Sequence, residues 1–116
     1  MKTEKGNLLL ETRGLIVHGC NAQGVMGSGI AKLLRDKYPQ VYNDYIYRYH
    51  SIGLKLGDVI FTKLTHRLHV ASVITQEYYG RDHDTVYVNY DAVRNGFALV
   101  NRYSKMFHLE IKHPLI

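Results

Sequence analysis

Hydrophobic residues occur along the chain in short runs that alternate between two periodicities. An apolar, β-branched run from Leu15 to His18 predicts a buried strand, and a glycine-rich turn separates it from a helix predicted over Ser28 to Asp36. A second helix is predicted to begin near Pro39, because proline is tolerated in a first helical turn. A short strand is also expected at Lys2 to Glu4. The first half of the chain therefore alternates strands with helices.

The middle of the chain has the pattern of a β-hairpin. The segments Asp58 to Thr62 and Leu68 to Ile74 are rich in β-forming residues, and a turn at Thr65 to Arg67 separates them. We therefore predict that these two strands pair with each other.

The last third predicts one further helix between two extended pieces. A polar loop leads to a short extended segment at Val86 to Tyr90, and Asp91 is the expected N-cap of a helix that runs to about Met106. A last strand is expected from His108 to Lys112. The helix is expected to bury one face, formed by Val93, Phe97, Val100 and Tyr103.

This alternation predicts a single α/β domain over residues 1–116, with helices on both faces of a central sheet. Ligands of such sheets bind beyond the carboxyl ends of the strands. The glycine-rich turn after the first confident strand follows such an end. We therefore expect the binding site at residues 18–31.

The turn has the layout of an anion site. Gly24, Gly27 and Gly29 allow the backbone to approach a ligand closely, and the following helix directs unpaired N–H groups towards it. Two common phosphate motifs are excluded: Ile30 stands where a P-loop requires lysine, and the order GVMGSG does not fit the dinucleotide fingerprint.

Composition narrows the class of protein. With 116 residues and 46% hydrophobic content, the chain is an ordinary globular domain, and no apolar run is long enough to span a bilayer. Cys20 is the single cysteine, which fits a reducing compartment and a cytoplasmic location. The formal charge of +5 favours anionic partners, but Lys and Arg are scattered, so nucleic acid is given low weight.

Several side chains have both a structural and a chemical interpretation. Tyr42, Tyr45 and Tyr49 recur at helical spacing, which favours an aromatic face packed on the core over a base-stacking surface. Cys20 is expected to be a small core residue. His66 and His69 do not share one strand face, so no metal site is expected there.

His18 and Asn21 are the candidate chemical groups beside the turn. His18 could act as a nucleophile or general acid towards a terminal phosphate, or it could simply hydrogen-bond the loop and orient Asn21. The Asn21 amide is suited to binding a sugar hydroxyl.

The stretch IVHGCNAQGVMGSGIA resembles the first loop of the macro domain, the ADP-ribose-binding fold. The sequence of this motif is similar to that of the branch that contains ADP-ribose 1''-phosphate phosphatases. The pieces GNLL, KYPQVYNDY, LGDVIF and ITQEYYG extend the resemblance over nearly the whole chain. In this alignment Asn21 falls on the residue that contacts the distal ribose, and Gly27, Ser28 and Gly29 fall on the diphosphate-binding positions.

The resemblance implies a domain that binds ADP-ribose or ADP-ribose 1''-phosphate and acts as a phosphatase on the latter. His18 is our candidate catalytic residue for this activity, on the chemical argument given above. Non-catalytic ADP-ribose binding is the alternative, followed by nucleic-acid binding. We expect no cofactor, no metal and no membrane partner, and we leave open whether the chain forms a homo-oligomer. The implied ligand-binding positions are Asn7, Leu8, Asn21, Ala22, Gln23, Gly24, Val25, Met26, Gly27, Ser28, Gly29, Ile30, Ala31, Thr75 and Gln76.

The sequence departs from the family pattern at three places. Asn7 stands where many macro domains have the aspartate that reads adenine, and Gln76 replaces the lysine of the deacylating branch. The family also continues past its HPLI-like strand into a second glycine-rich loop, whereas this sequence stops at Ile116. We therefore expect a macro-domain-like mixed sheet truncated at its C-terminal end. Either half of the site is missing, another chain supplies it, or the sequence is a fragment.

Overall fold

The computed structural model describes residues 10–27, 29–77 and 89–113. These residues form four strands and three helices, which alternate along the chain broadly as predicted. In chain order they are β1 (Gly14–Asn21), α1 (Gly29–Lys37), α2 (Pro39–Ser51), β2 (Val59–Lys63), β3 (Leu68–Gln76), α3 (Tyr90–Phe107) and β4 (Ile111–Lys112).

The four strands form one mixed sheet in the order β2-β3-β1-β4. Strand β1 lies at its centre, parallel to β3 on one side and to β4 on the other. The predicted hairpin is confirmed, because β2 pairs antiparallel with β3 and aligns Val59 with Val73. The carboxyl ends of β1 and β3 therefore meet at one edge of the sheet, which we call the carboxyl edge.

Helices cover both faces of this sheet, as the alternating pattern predicted. On β1, Ile16 and Cys20 belong to the cluster that contains Leu34 of α1 and Tyr45 of α2. The neighbouring side chains of β1 face the opposite way and pack in a second cluster with Val100 of α3. This alternation is the period of a strand that is buried on both faces.

The prediction that the first strand ends at His18 is wrong. Its pairing with β3 continues through Cys20 opposite Ile74 and reaches Asn21, with an irregularity between the last two residues. His18 consequently lies inside the strand, three residues before its end. The glycine-rich turn begins at Asn21.

The start of α3 also differs from the prediction. Asn89, not Asp91, is the N-cap, because its backbone is extended and its side chain accepts a hydrogen bond from Ala92 N at 2.9 Å. Tyr90 is helical and not extended. Of the predicted buried face, Val100 is fully buried and the others are partly buried, while the small residues Ala92 and Gly96 are buried beside it.

The last strand is shorter than predicted. His108 does not begin it but caps α3 in the left-handed conformation, with φ of 56°, and Leu109 N donates to Ser104 O at 2.9 Å. The strand predicted at Lys2 to Glu4 and the extended piece at residues 86–88 lie outside the described residues. No described helix combines the length and apolar character that a membrane span requires.

Candidate functional site

The glycine-rich turn, residues 21–31, follows β1 at the carboxyl edge and lies next to the end of β3. Asn21 pairs with Gln76, and Ala22 N donates to Gln76 O at 3.0 Å. The Gln23 side chain donates to Glu77 O at 2.9 Å and ties the turn to the same strand end. Thr75 and Gln76 are partly buried there. The structure thus brings these predicted positions together.

A hydrogen-bond network centred on the buried Tyr45 hydroxyl holds the first half of the turn. Asn21 Nδ2 donates to Val25 O at 2.8 Å, and Asn21 Oδ1 accepts from Gln23 N at 2.9 Å. The Tyr45 hydroxyl lies within 2.8 Å of Asn21 O and 3.0 Å of Asn21 Oδ1. The same hydroxyl oxygen accepts hydrogen bonds from Gly24 N and Val25 N, both at 3.1 Å.

Tyr45 is the important residue that sequence reasoning assigned only to the core. Its ring is fully buried on α2, as the aromatic spacing predicted. Burial raises the pKa of its phenol, so the hydroxyl keeps its proton. The available signal was the choice of tyrosine over phenylalanine at a buried position, since a buried hydroxyl requires partners.

Buried side chains anchor the turn from below. Ala22 and Met26 are 6% and 1% exposed and belong to the cluster beneath α1 and α2. Gly24, with φ of 80°, lies so close to α2 that a Cβ atom there would be 2.9 Å from the Tyr49 ring. These predicted ligand positions therefore shape the turn from within.

The second half of the turn faces outward. Val25, Gly27 and Gly29 are exposed, and no atom of the described residues that are not adjacent to Gly29 lies within 4 Å of the position that a Gly29 Cβ would occupy. Helix α1 begins at Gly29 with no acidic residue in its first turn. The first N–H groups of a helix have no partner within it, so the turn presents donors and a positive dipole end to this open space.

His18 lies beneath the turn and not at its surface. Its Nε2 is 2.8 Å from Ser72 Oγ on β3, and its Nδ1 is 3.6 Å from Cys20 Sγ. Burial lowers the pKa of His18 to about 4 and raises the pKa of the Cys20 thiol to about 12. The imidazole and the thiol are therefore both neutral at pH 7.

The neutral, buried His18 predicts a stability loss in mild acid. In the unfolded chain a histidine titrates near 6.5. Between that pH and about 4, His18 is protonated only in the unfolded state, so the free energy of unfolding decreases as the pH is lowered. We expect a loss of about 2 kcal/mol from His18 between pH 7 and pH 5. Urea unfolding at both pH values measures it. His18→Gln should reduce the pH dependence, and His50→Gln, at an exposed position, should not. Equal pH dependence in the wild type and His18→Gln would contradict the assignment.

Asn7, Leu8 and Ser28, which the resemblance placed at the ligand, lie outside the described residues. The remaining predicted positions are those located above, with Ile30 and Ala31 in the first turn of α1. Within the described ranges, no group of three or more His, Cys, Asp or Glu side chains is arranged to hold a metal ion.

Comparison with curated proteins finds two relatives that match a short segment of the chain. No protein-family model matches the chain. The ADP-ribose 1''-phosphate phosphatases of Neosartorya fischeri and Aspergillus fumigatus are each 51% identical to it over 39 residues. That segment is 34% of this chain and 18% of each phosphatase. The similarity therefore spans less than a fifth of the length of these relatives.

Solved structures are similar over most of the chain. A protein of unknown function from Bacteroides thetaiotaomicron is 26% identical with a TM-score of 0.84, covering 98% of this chain and 74% of that one. A macrodomain protein from Streptomyces coelicolor is 22% identical with a TM-score of 0.78, covering 91% and 71%. Thermosipho africanus DarTG, solved in complex with ADP-ribose, is 14% identical with a TM-score of 0.73, covering 91% of this chain and 30% of its own. The resemblance seen in the sequence is thus confirmed, and the chain has the macro-domain fold.

Proposed function

We propose that this domain binds ADP-ribose or a derivative of it in the glycine-rich turn. The observation that carries the proposal is the exposed backbone of Gly27 and Gly29 at the start of α1, beside open space. A diphosphate is the ligand group that such donors and such a dipole favour. DarTG, which shares the fold over 30% of its length, was solved in complex with ADP-ribose, and this supports ADP-ribose as the ligand over other phosphates.

The rigid first half of the turn supports the proposal in a second way. Gly24 N and Val25 N already donate to Tyr45, so we assign the diphosphate to the later N–H groups, from Gly27 onward. Both polar atoms of the Asn21 amide form hydrogen bonds within the turn itself. A ribose hydroxyl that binds Asn21 would therefore replace one of those hydrogen bonds. A preorganised loop loses less conformational entropy on binding.

Replacing Gly29 with alanine tests the placement of the ligand. The new methyl group would occupy the open space beside α1, and we expect the affinity for ADP-ribose to fall about tenfold or more because the diphosphate needs close backbone approach. Isothermal titration calorimetry with ADP-ribose measures the change.

Gly53→Ala is the matched control. Gly53 also has positive φ, 83° against 62°, and its added Cβ would likewise meet no atom of the described, non-adjacent part of the chain within 4 Å. Both variants should lose similar stability, about 1–2 kcal/mol, from alanine in a left-handed conformation. Equal affinities for ADP-ribose in the two variants would refute the placement. A wild-type protein that fails to bind at millimolar ligand would refute the function.

We further propose that the bound derivative is ADP-ribose 1''-phosphate and that its terminal phosphate is hydrolysed. The supporting observation is the 51% identity over 39 residues to two phosphatases of this substrate. Phosphate release from ADP-ribose 1''-phosphate tests it, and binding without release would leave a non-catalytic module. His18 is buried, so its catalytic role needs a direct test. Unchanged phosphate release in His18→Ala relative to the wild type would remove His18 from the mechanism.

A further inference from the structure

A second concave surface lies at the opposite edge of the sheet, where β1 and β3 begin. This amino-edge groove has a volume of about 580 Å³ and is lined by Arg13, His66, Arg67, Phe107, His108 and Glu110, among others. Its three segments are fixed to one another by the backbone. Gly14 N donates to Arg67 O at 2.7 Å, and Leu15 N donates to Glu110 O at 2.8 Å.

The segments that flank the groove are basic. These segments, residues 11–14, 63–67 and 105–112, contain five Lys and Arg residues and two Glu residues, a formal charge of +3. Arg13 and Arg67 are exposed and form no ion pair within the described part of the chain. Two guanidinium groups at one concave surface are well suited to phosphate oxygens.

Two features of the groove oppose an anion, and both are partly offset. Lys112 Nζ lies 3.2 Å from Glu11 and 3.7 Å from Glu110, so its charge is shared between the two carboxylates. The negative end of the α3 dipole also lies here, but Ser104 O already accepts hydrogen bonds from the N–H groups of His108 and Leu109. Lys105 stands in the same last turn. The unpaired guanidinium groups therefore set the sign of the groove.

An exposed aromatic ring completes the surface. Phe107 is 47% exposed, while its ring packs at 4.5 Å from Tyr103 and 5.5 Å from His69 between centroids. A ring that is held on one side and open on the other is a platform for a base. Guanidinium groups for phosphates beside an aromatic platform are the combination by which proteins bind single-stranded nucleic acid.

We propose that the amino-edge groove binds single-stranded nucleic acid, with phosphates on Arg13 and Arg67 and a base stacked on Phe107. An acidic peptide would satisfy the guanidinium groups but would leave the aromatic platform unused, so the nucleic acid is favoured. The groove is separated from the glycine-rich turn by the length of β1. Binding at the groove can therefore be tested independently of ADP-ribose binding at the turn.

Fluorescence anisotropy with labelled single strands of about 12 nucleotides, DNA and RNA in separate arms, tests the proposal. We expect binding at about 50 mM salt that weakens steeply towards about 200 mM and is not competed by ADP-ribose. Arg13→Gln/Arg67→Gln should weaken binding about tenfold or more and reduce the salt slope by about one or two. Phe107→Leu should weaken it about fivefold, with circular dichroism showing that the fold is kept.

The control removes the same charge from the other edge. Lys55→Gln/Arg94→Gln also lowers the net charge by two, at exposed positions near the start of β2 and of α3, and should change binding less than twofold. Equal losses in the two double variants would reduce the effect to overall basicity and overturn the groove assignment. Absence of wild-type binding at low salt, competition by ADP-ribose, or equal affinity for polyglutamate would each overturn it as well.

Discussion

Tyr45→Phe is expected to destabilise the protein by about 3 kcal/mol and to abolish most of its affinity for ADP-ribose. The substitution keeps the buried ring but removes the hydroxyl that accepts from Gly24 N and Val25 N and lies 2.8 Å from Asn21 O. Three backbone groups would lose this partner, Val25 N keeping only a 3.5 Å contact with Asn21 Oδ1, and each group left without a good partner costs on the order of 1 kcal/mol. Urea unfolding and calorimetry with ADP-ribose measure the two effects.

Tyr42→Phe is the matched control for this prediction. Tyr42 lies one turn earlier on the same helix, 6.4 Å from Tyr45 between ring centroids, and no described group hydrogen-bonds its hydroxyl. It should lose less than about 0.5 kcal/mol. Amide exchange provides a readout without ligand, because the Gly24 and Val25 amides should exchange faster in Tyr45→Phe alone. Unchanged exchange would show that the hydroxyl does not hold the turn.

The fold was largely predictable because the buried positions of each helix and strand follow the periodicity of hydrophobic residues in the sequence. The hairpin of β2 and β3 and the two consecutive helices follow from β-branched runs, from the position of Pro39 and from aromatic spacing. Their boundaries depend on tertiary contacts. The N-cap at Asn89 is an example, since Asn89 N donates to Thr75 O at 2.6 Å and fixes the chain in the extended conformation there. A sequence pattern does not record that contact.

The location of the candidate site was predictable for a different reason. Glycines after a buried strand indicate a turn at the carboxyl edge, and the structure has that turn. The chemical environment of individual groups was not predictable. Helical spacing indicates that the Tyr45 ring is buried, but it does not show where the hydroxyl ends. Likewise, the apolar run does not reveal that β1 continues to Asn21 and encloses His18.

Gly96→Ala is expected to cost about 2 kcal/mol, although alanine ordinarily stabilises a helix by about 1 kcal/mol relative to glycine. Gly96 is buried in α3 where the helix crosses the sheet, and an added Cβ would lie 2.4 Å from Val73 Cγ1 on β3. Val73 is 1% exposed and packed in the core, so α3 would have to move away from the sheet. Urea unfolding measures the loss.

A double-mutant cycle separates this clash from the intrinsic helix preference. Val73→Ala alone should cost on the order of 2 kcal/mol through the cavity it leaves, but it also makes room for the new methyl group. The double variant Gly96→Ala/Val73→Ala should therefore be more stable than additivity predicts, by about 1–3 kcal/mol. Ala98→Gly, at an exposed position of the same helix, gives the intrinsic term of about 1 kcal/mol. Strict additivity in the cycle, or a net gain in stability from Gly96→Ala, would show that α3 does not pack against β3 at this glycine.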